Sequence, residues 1–324
     1  MKVFLAGGSG AIGKQLVPML VANGHGVVAT GTSRRKLAAI QEAGAEGIVL
    51  DVLDRDAVIA AVLRAEPDVV IHEATALAEL SSFRNMDKSF ALTNRLRTEG
   101  TDNLLEAARA AGARRFIAQS FSGWPNEKKG SMIKTEEDPL DDDPPPKARQ
   151  GMAALKHVER VVGEATDIEG LVLRYGGFYG PGTSLAKDGG AHTEAVRKRQ
   201  FPIVGEGTGV WSFLHIEDAA RATAIAVERG APGIYNIVDD DPAPVGEWLP
   251  VLAEAVGAPP PRHVPVWLGR LLAGNLAVSM MTEMRGSSNA KAKRELGWQP
   301  RYASWRDGFR GSPTVTAESG AAAA

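Results

Sequence analysis

The sequence predicts an α/β fold, a doubly wound parallel sheet followed by a smaller C-terminal lobe. Three observations predict it. Short β-rich runs alternate with longer helical patterns through the first half of the chain. The run at 69–72 is continuously apolar, as in a strand buried on both faces. A glycine cluster at 7–13 stands between the first strand and the first helix.

Residues 3–6 read as the first strand and 14–23 as a helix stopped by Gly24. Then come a strand at 26–30, a helix at 36–43 ended by Gly44, and a strand at 47–50. A helix at 54–65 is stopped by Pro67, and the buried strand 69–72 follows. The helical pattern 98–111, closed by Gly112, precedes a strand at 115–118. Residues 124–146 break this rhythm. Asp141-Asp142-Asp143-Pro144-Pro145-Pro146 excludes helix and central strand, so the segment reads as a surface excursion before the helix 147–165. Residues 311–324, small and polar with a terminal alanine run, read as a disordered tail.

Composition narrows the function classes. The 324 residues are 44% hydrophobic, with 37 basic and 39 acidic side chains and a net charge of −2. A charge this balanced gives no field for nucleic acid or an anionic membrane. Cysteine is absent, which excludes disulfides, thiolate nucleophiles and thiolate-bound metals. No His/Asp/Glu spacing suggests a metal site, and no stretch approaches the ~20 apolar residues of a membrane span. Met1–Ala6 runs into glycine too soon for a secretory signal, so a cytoplasmic protein with a small-molecule substrate is expected.

Gly7-Gly8-Ser9-Gly10-Ala11-Ile12-Gly13 satisfies both G-x-G-x-x-G and G-x-x-G-x-x-G. Glycine allows the tight turn, the approach of backbone to a pyrophosphate, and helix-on-strand packing; the helix N-terminus adds amide donors. The strand before and the helix after are the context this motif requires, and together they imply a Rossmann-type dinucleotide site. The end of the second strand bears on cofactor choice. Thr30-Gly31-Thr32-Ser33-Arg34-Arg35-Lys36 lacks the acidic residue that holds a free ribose 2′-hydroxyl, while Arg34 or Arg35 can grip a 2′-phosphate. NADP is therefore expected over NAD. Asp51 and Val52, after the third strand, are adenine-side candidates.

From here the residues resemble the extended short-chain dehydrogenase/reductase family, also described as NAD(P)-dependent epimerase/dehydratase-like. The resemblance rests on the glycine loop, Leu50-Asp51-Val52, Val70-Ile71-His72-Glu73-Ala74-Thr75-Ala76, and Thr93-Asn94 with Gly100-Thr101 and Asn103-Leu104-Leu105. It continues through Arg174-Tyr175-Gly176-Gly177-Phe178-Tyr179-Gly180-Pro181, Phe213-Leu214-His215-Ile216-Glu217-Asp218 and Glu295-Leu296-Gly297-Trp298. The implied layout is a dinucleotide-binding domain over 1–180, a substrate lobe over 181–310 with 211–238 returning to the first domain, and the tail 311–324. The implied cofactor set is Gly7, Gly10, Ala11, Ile12, Gly13, Arg34, Asp51, Val52, Ala74, Thr75, Ala76, Lys156, Gly177 and Phe178. Family members often dimerise through two helices per subunit, which here would be 98–111 and 147–165.

The family's catalytic set is Ser or Thr with Tyr-x-x-x-Lys on a helix. Lys156 is the match to the lysine, and this places Met152, which has no dissociable proton, at the tyrosine position. Ser120 matches the serine, with Ser122 a second candidate and Trp124 where many members carry tyrosine. Tyr175 is the candidate for holding the substrate oxygen in place of the missing group. Ser122, Trp124, Met152, Tyr179 and Trp211 are the substrate candidates. Trp211 or Ser212 stands where nucleotide-sugar members carry an arginine. The expected activity is that of an NADP(H)-dependent oxidoreductase on a small or moderately apolar carbonyl or alcohol. The alternatives are an NADP(H)-binding redox sensor without turnover and a nucleotide-sugar epimerase or dehydratase.

Overall fold

In the computed structural model, residues 1–77 and 86–311 are described. Most of the tail expected at 311–324 lies outside them. Seven parallel strands form one sheet: β1 Lys2–Ala6, β2 Gly26–Gly31, β3 Glu46–Val49, β4 Val69–His72, β5 Arg115–Phe121, β6 Glu169–Tyr175 and β7 Gly233–Ile237. Their spatial order is β7-β6-β5-β4-β1-β2-β3. The chain reverses direction across the sheet between β1 and β4, and this is where ligands sit in open α/β sheets.

Helices cover both faces, so the strands are largely buried except the edge strand β3, whose Glu46 and Val49 are exposed. Helices α1 (Ala11–Ala22), α2 (Arg34–Glu42) and α6 (Ile216–Ala226) bury Leu16, Leu20, Ile40 and Ala219 against one face. On the other, α3 (Arg55–Ala65), α4 (Thr101–Ala110) and α5 (Arg149–Gly163) bury Val62, Leu104 and Val158. The lobe has its own core around Phe213, Val245, Trp248, Leu252 and Trp305. No helix among the described residues is long and apolar enough to cross a membrane.

Three sequence expectations change. β5 runs three residues further than 115–118, because Gln119, Ser120 and Phe121 continue the register against β6. The helix expected at 98–111 is preceded by a short helix Ala91–Arg95 and a π turn Leu96–Gly100. The 124–146 segment is not simply a surface excursion. Its Ile133–Lys134 pairs in parallel with Gly286–Ser287, and the Lys134 ammonium is buried against Asp138 and the Lys129 carbonyl.

Candidate active site at the carboxyl ends of the strands

The loop is clamped so that only glycine fits at positions 7, 8 and 13. Gly7 has φ +95°, and a Cβ there would lie 2.6 Å from the Glu73 carbonyl carbon. A Cβ on Gly8 would lie 2.7 Å from that of Ala29, and one on Gly13 would overlap the Gly7 and Gly8 carbonyls. Gly7 N–H donates to Thr30 Oγ1 at 3.1 Å, fixing the loop to β2. Gly10 caps α1 without any side-chain hydrogen bond. The first-turn amides of Ala11, Ile12 and Gly13 are thus left for an anion. A cradle that a Cβ would fill, at an uncapped helix start, fits a dinucleotide pyrophosphate.

Beyond β2, Arg34 and Arg35 are exposed and make no ion pair or hydrogen bond among the described residues. Asp51 is exposed and accepts from Leu53 N–H at 3.0 Å, while Val52 is buried and its carbonyl accepts from Asn103 Nδ2 at 3.0 Å. Ala74, Thr75 and Ala76 line the exit of β4 half-buried, Ala76 N–H donating to Thr93 Oγ1. Gly177 and Phe178, also half-buried, lie on a short strand beside Phe213–His215.

The expected catalytic side chains do not converge. Ser120 is buried and donates to Glu159 Oε1 at 2.7 Å. Glu159 in turn accepts from Arg174 Nε and Nη2 at 2.8 and 2.7 Å. Ser120 thus belongs to a buried structural network rather than to a substrate oxygen. Lys156 is half-exposed and paired with Asp142 of the 124–146 segment. Met152, by contrast, is buried, as are Leu155, Val158 and Glu159 of α5.

Tyr175 is 1% exposed, its hydroxyl 2.7 Å from both Glu73 Oε1 and Thr223 Oγ1. It is a core tyrosine, and burial raises its pKa further. Against the opposing hydrogen bond from Tyr175, burial also pushes Glu73 up to about 8, which favours its neutral form. His72 is pushed down to about 4 by the same desolvation, and its Nε2 bonds the Leu96 carbonyl at 2.9 Å.

The substrate candidates divide. Ser122 is buried against Ser287 Oγ at 2.7 Å, which commits it to the lobe junction. Trp124 is partly buried in an apolar cluster with Phe90, Ala148, Leu276 and Met280. Trp211 bonds the Met280 carbonyl at 2.9 Å and packs on Trp248, as part of the lobe core. Tyr179 packs among Phe213, His215, Tyr302 and Phe309. It borders a cavity of about 470 Å³ whose lining includes Gln15 of α1 and Glu217 of α6, on the face opposite α5. Among the described residues no cluster of three or more His, Asp or Glu could hold a metal.

One charged side chain was not singled out from sequence. Arg97, on the π turn, is 5% exposed and has no hydrogen bond or ion pair among the described residues. The signal was present as polar residues at 94, 97 and 101, spaced to share one helix face.

Comparison with known proteins agrees with this architecture. The model of the NAD dependent epimerase/dehydratase family matches residues 3–238. A 3-diazoavenalumate denitrifying reductase from a Streptomyces species is 44% identical over 95% of this chain and 99% of its own. A 2-alkyl-3-oxoalkanoate reductase from Stenotrophomonas maltophilia is 30% identical over 80% of this chain and 77% of its own. The crystal structure of a UDP-glucose 4-epimerase from Thermotoga maritima superposes with a TM-score of 0.74 at 21% identity, covering 96% of each chain.

Proposed function

Because the chain belongs to the NAD-dependent epimerase/dehydratase family and is an oxidoreductase, we propose that it is an NADP(H)-dependent reductase whose substrate needs no proton from the protein. The observation that carries this reading is Met152, buried where the family resemblance puts the proton-donating tyrosine. The two other groups considered are engaged elsewhere, Tyr175 with Glu73 and Lys156 with Asp142.

The glycine loop and the first-turn amides of α1 would hold the pyrophosphate, and Arg34 the 2′-phosphate. When bound, the reduced cofactor supplies a hydride. The substrate class that fits is an aryl diazo compound, as the name of the 44% identical relative suggests. In the diazonium form a C–H bond forms at the ring carbon, the C–N bond breaks, and its electron pair leaves with dinitrogen. Charge and atoms balance with no proton transferred. The chain's own task is to orient the ring and exclude water, which suits the buried Met152 and the apolar cluster that holds Trp124.

A carbonyl substrate is the second reading, favoured by the 30% identical ketone reductase. It requires a proton on oxygen that Met152 does not supply. A nucleotide-sugar substrate is disfavoured by Trp211 or Ser212 standing at the position of the family's arginine.

Cofactor choice is tested by titration. NADPH is expected to bind more tightly than NADH, and Arg34→Ser to weaken NADPH by roughly 10–100-fold, the worth of a charge-assisted hydrogen bond, with NADH unchanged. Equal affinities for both cofactors in the unaltered protein would rule out a 2′-phosphate grip.

A further inference from the structure

We infer that Arg97 is the anion-binding residue of the substrate site, and that the substrate is an aromatic acid held by its carboxylate. This deepens the reductase reading above and rests on it for the location of the substrate.

Among the described residues, Arg97 lies within the fold without a countercharge. It is 5% exposed and no carboxylate among the described residues pairs with it. Desolvation lowers its pKa only to about 10, so it stays charged at pH 7. Its Nε is sealed from solvent without a partner, whereas its terminal nitrogens are not among the sealed atoms. The guanidinium tip therefore borders accessible space. Two neighbours on the same helix side repeat the pattern. Asn94, one turn earlier, has both amide atoms buried and unbonded, and so does the Thr101 hydroxyl one turn later.

Buried polar side chains are almost always bonded, and each orphan costs about 1–3 kcal/mol. Four such atoms on one stripe, one of them on a charged group, are costly unless a ligand completes them. The π turn that carries Arg97 is itself of a kind enriched at functional sites.

The stripe sits where a substrate is needed. His72, the last residue of β4, holds the π turn through its bond to the Leu96 carbonyl. The turn packs directly on α5, which carries Met152. Phe90, one turn before Asn94, lies in the apolar cluster with Trp124 and Met280. A planar guanidinium with an adjacent amide matches the two oxygens of a carboxylate, and the aromatic cluster matches a ring attached to it.

Isothermal titration of NADP⁺-saturated protein with 4-hydroxycinnamate and its methyl ester tests this. The acid is expected to bind roughly 10–100-fold more tightly than the ester, the worth of one charged hydrogen-bonding pair. Arg97→Met should bring the acid to the ester's affinity, leave NADPH affinity within about twofold, and raise the Tm by removing an uncompensated buried charge. Asn94→Leu should weaken the acid alone, by a smaller factor. Undiminished binding of the acid by Arg97→Met overturns the proposal. A loss of NADPH affinity in that variant assigns the anion to the cofactor instead, and a marked fall in Tm assigns Arg97 a structural role; either also overturns it. The binding difference reads Arg97 even if no aromatic acid is turned over. Equal turnover of acid and ester would uphold the reductase and overturn the role of Arg97.

Discussion

Gly13→Val is expected to weaken NADPH binding by more than about 100-fold, a loss of roughly 2.7 kcal/mol. The Cβ would occupy the space of the Gly7 and Gly8 carbonyl oxygens, so the loop must open or α1 must move away from β1. Either displacement takes the first-turn amides out of line with a pyrophosphate, and the effect on binding exceeds that on folding. Fluorescence titration of NADPH, with circular dichroism to show that the sheet persists, reads both. Near-normal affinity would mean that the phosphate cradle lies elsewhere.

Glu159→Ala is expected to be the most destabilising single change on the α5 face. Arg174 is 3% exposed and satisfied chiefly by the two Glu159 oxygens, and its Nη1 is already unbonded. Removing the carboxylate leaves a buried guanidinium alone, at a cost of about 3–5 kcal/mol. For a chain of 324 residues that corresponds to a fall in Tm of roughly 4–7 °C. The double variant Glu159→Leu with Arg174→Met should recover most of the loss, because an apolar pair of similar volume replaces the ion pair. Ser120→Ala should cost only about 1 kcal/mol and leave kcat unchanged. A collapse of kcat in Ser120→Ala with Tm intact would return Ser120 to the catalytic machinery.

What could be read from sequence divides along a physical line. The glycine loop was legible because its requirements are local: a turn, a close approach and a helix start within seven residues. The strand and helix order followed from periodicity. Rotation of α5 was not legible from motif spacing. The buried positions Met152, Leu155, Val158, Glu159 and Val162 define its inner face, and Arg174 on β6 fixes that face by drawing Glu159 inward. Lys156 then falls on the flank, within reach of Asp142.

Ser120 and Tyr175 mislead for a related reason. Both stand at strand ends where catalytic groups are placed, but each is consumed by a partner distant in sequence, Glu159 or Glu73. Composition alone misread 124–146, since an Asp- and Pro-rich segment gives no sign that Lys134 is buried beneath it.

In the proposed reaction, hydride passes from NADPH to carbon with no proton from the protein. The measurement that tests this most directly is transfer of label from both 4-deuterated isomers of NADPH to an aryl diazo acid in ordinary water. One isomer is expected to place a single deuterium on the ring carbon that lost dinitrogen, with one NADP⁺ and one N₂ formed per product and a rate unaffected by Tyr175→Phe. Protium at that carbon with both isomers, or product formed without NADPH oxidation, would contradict the account.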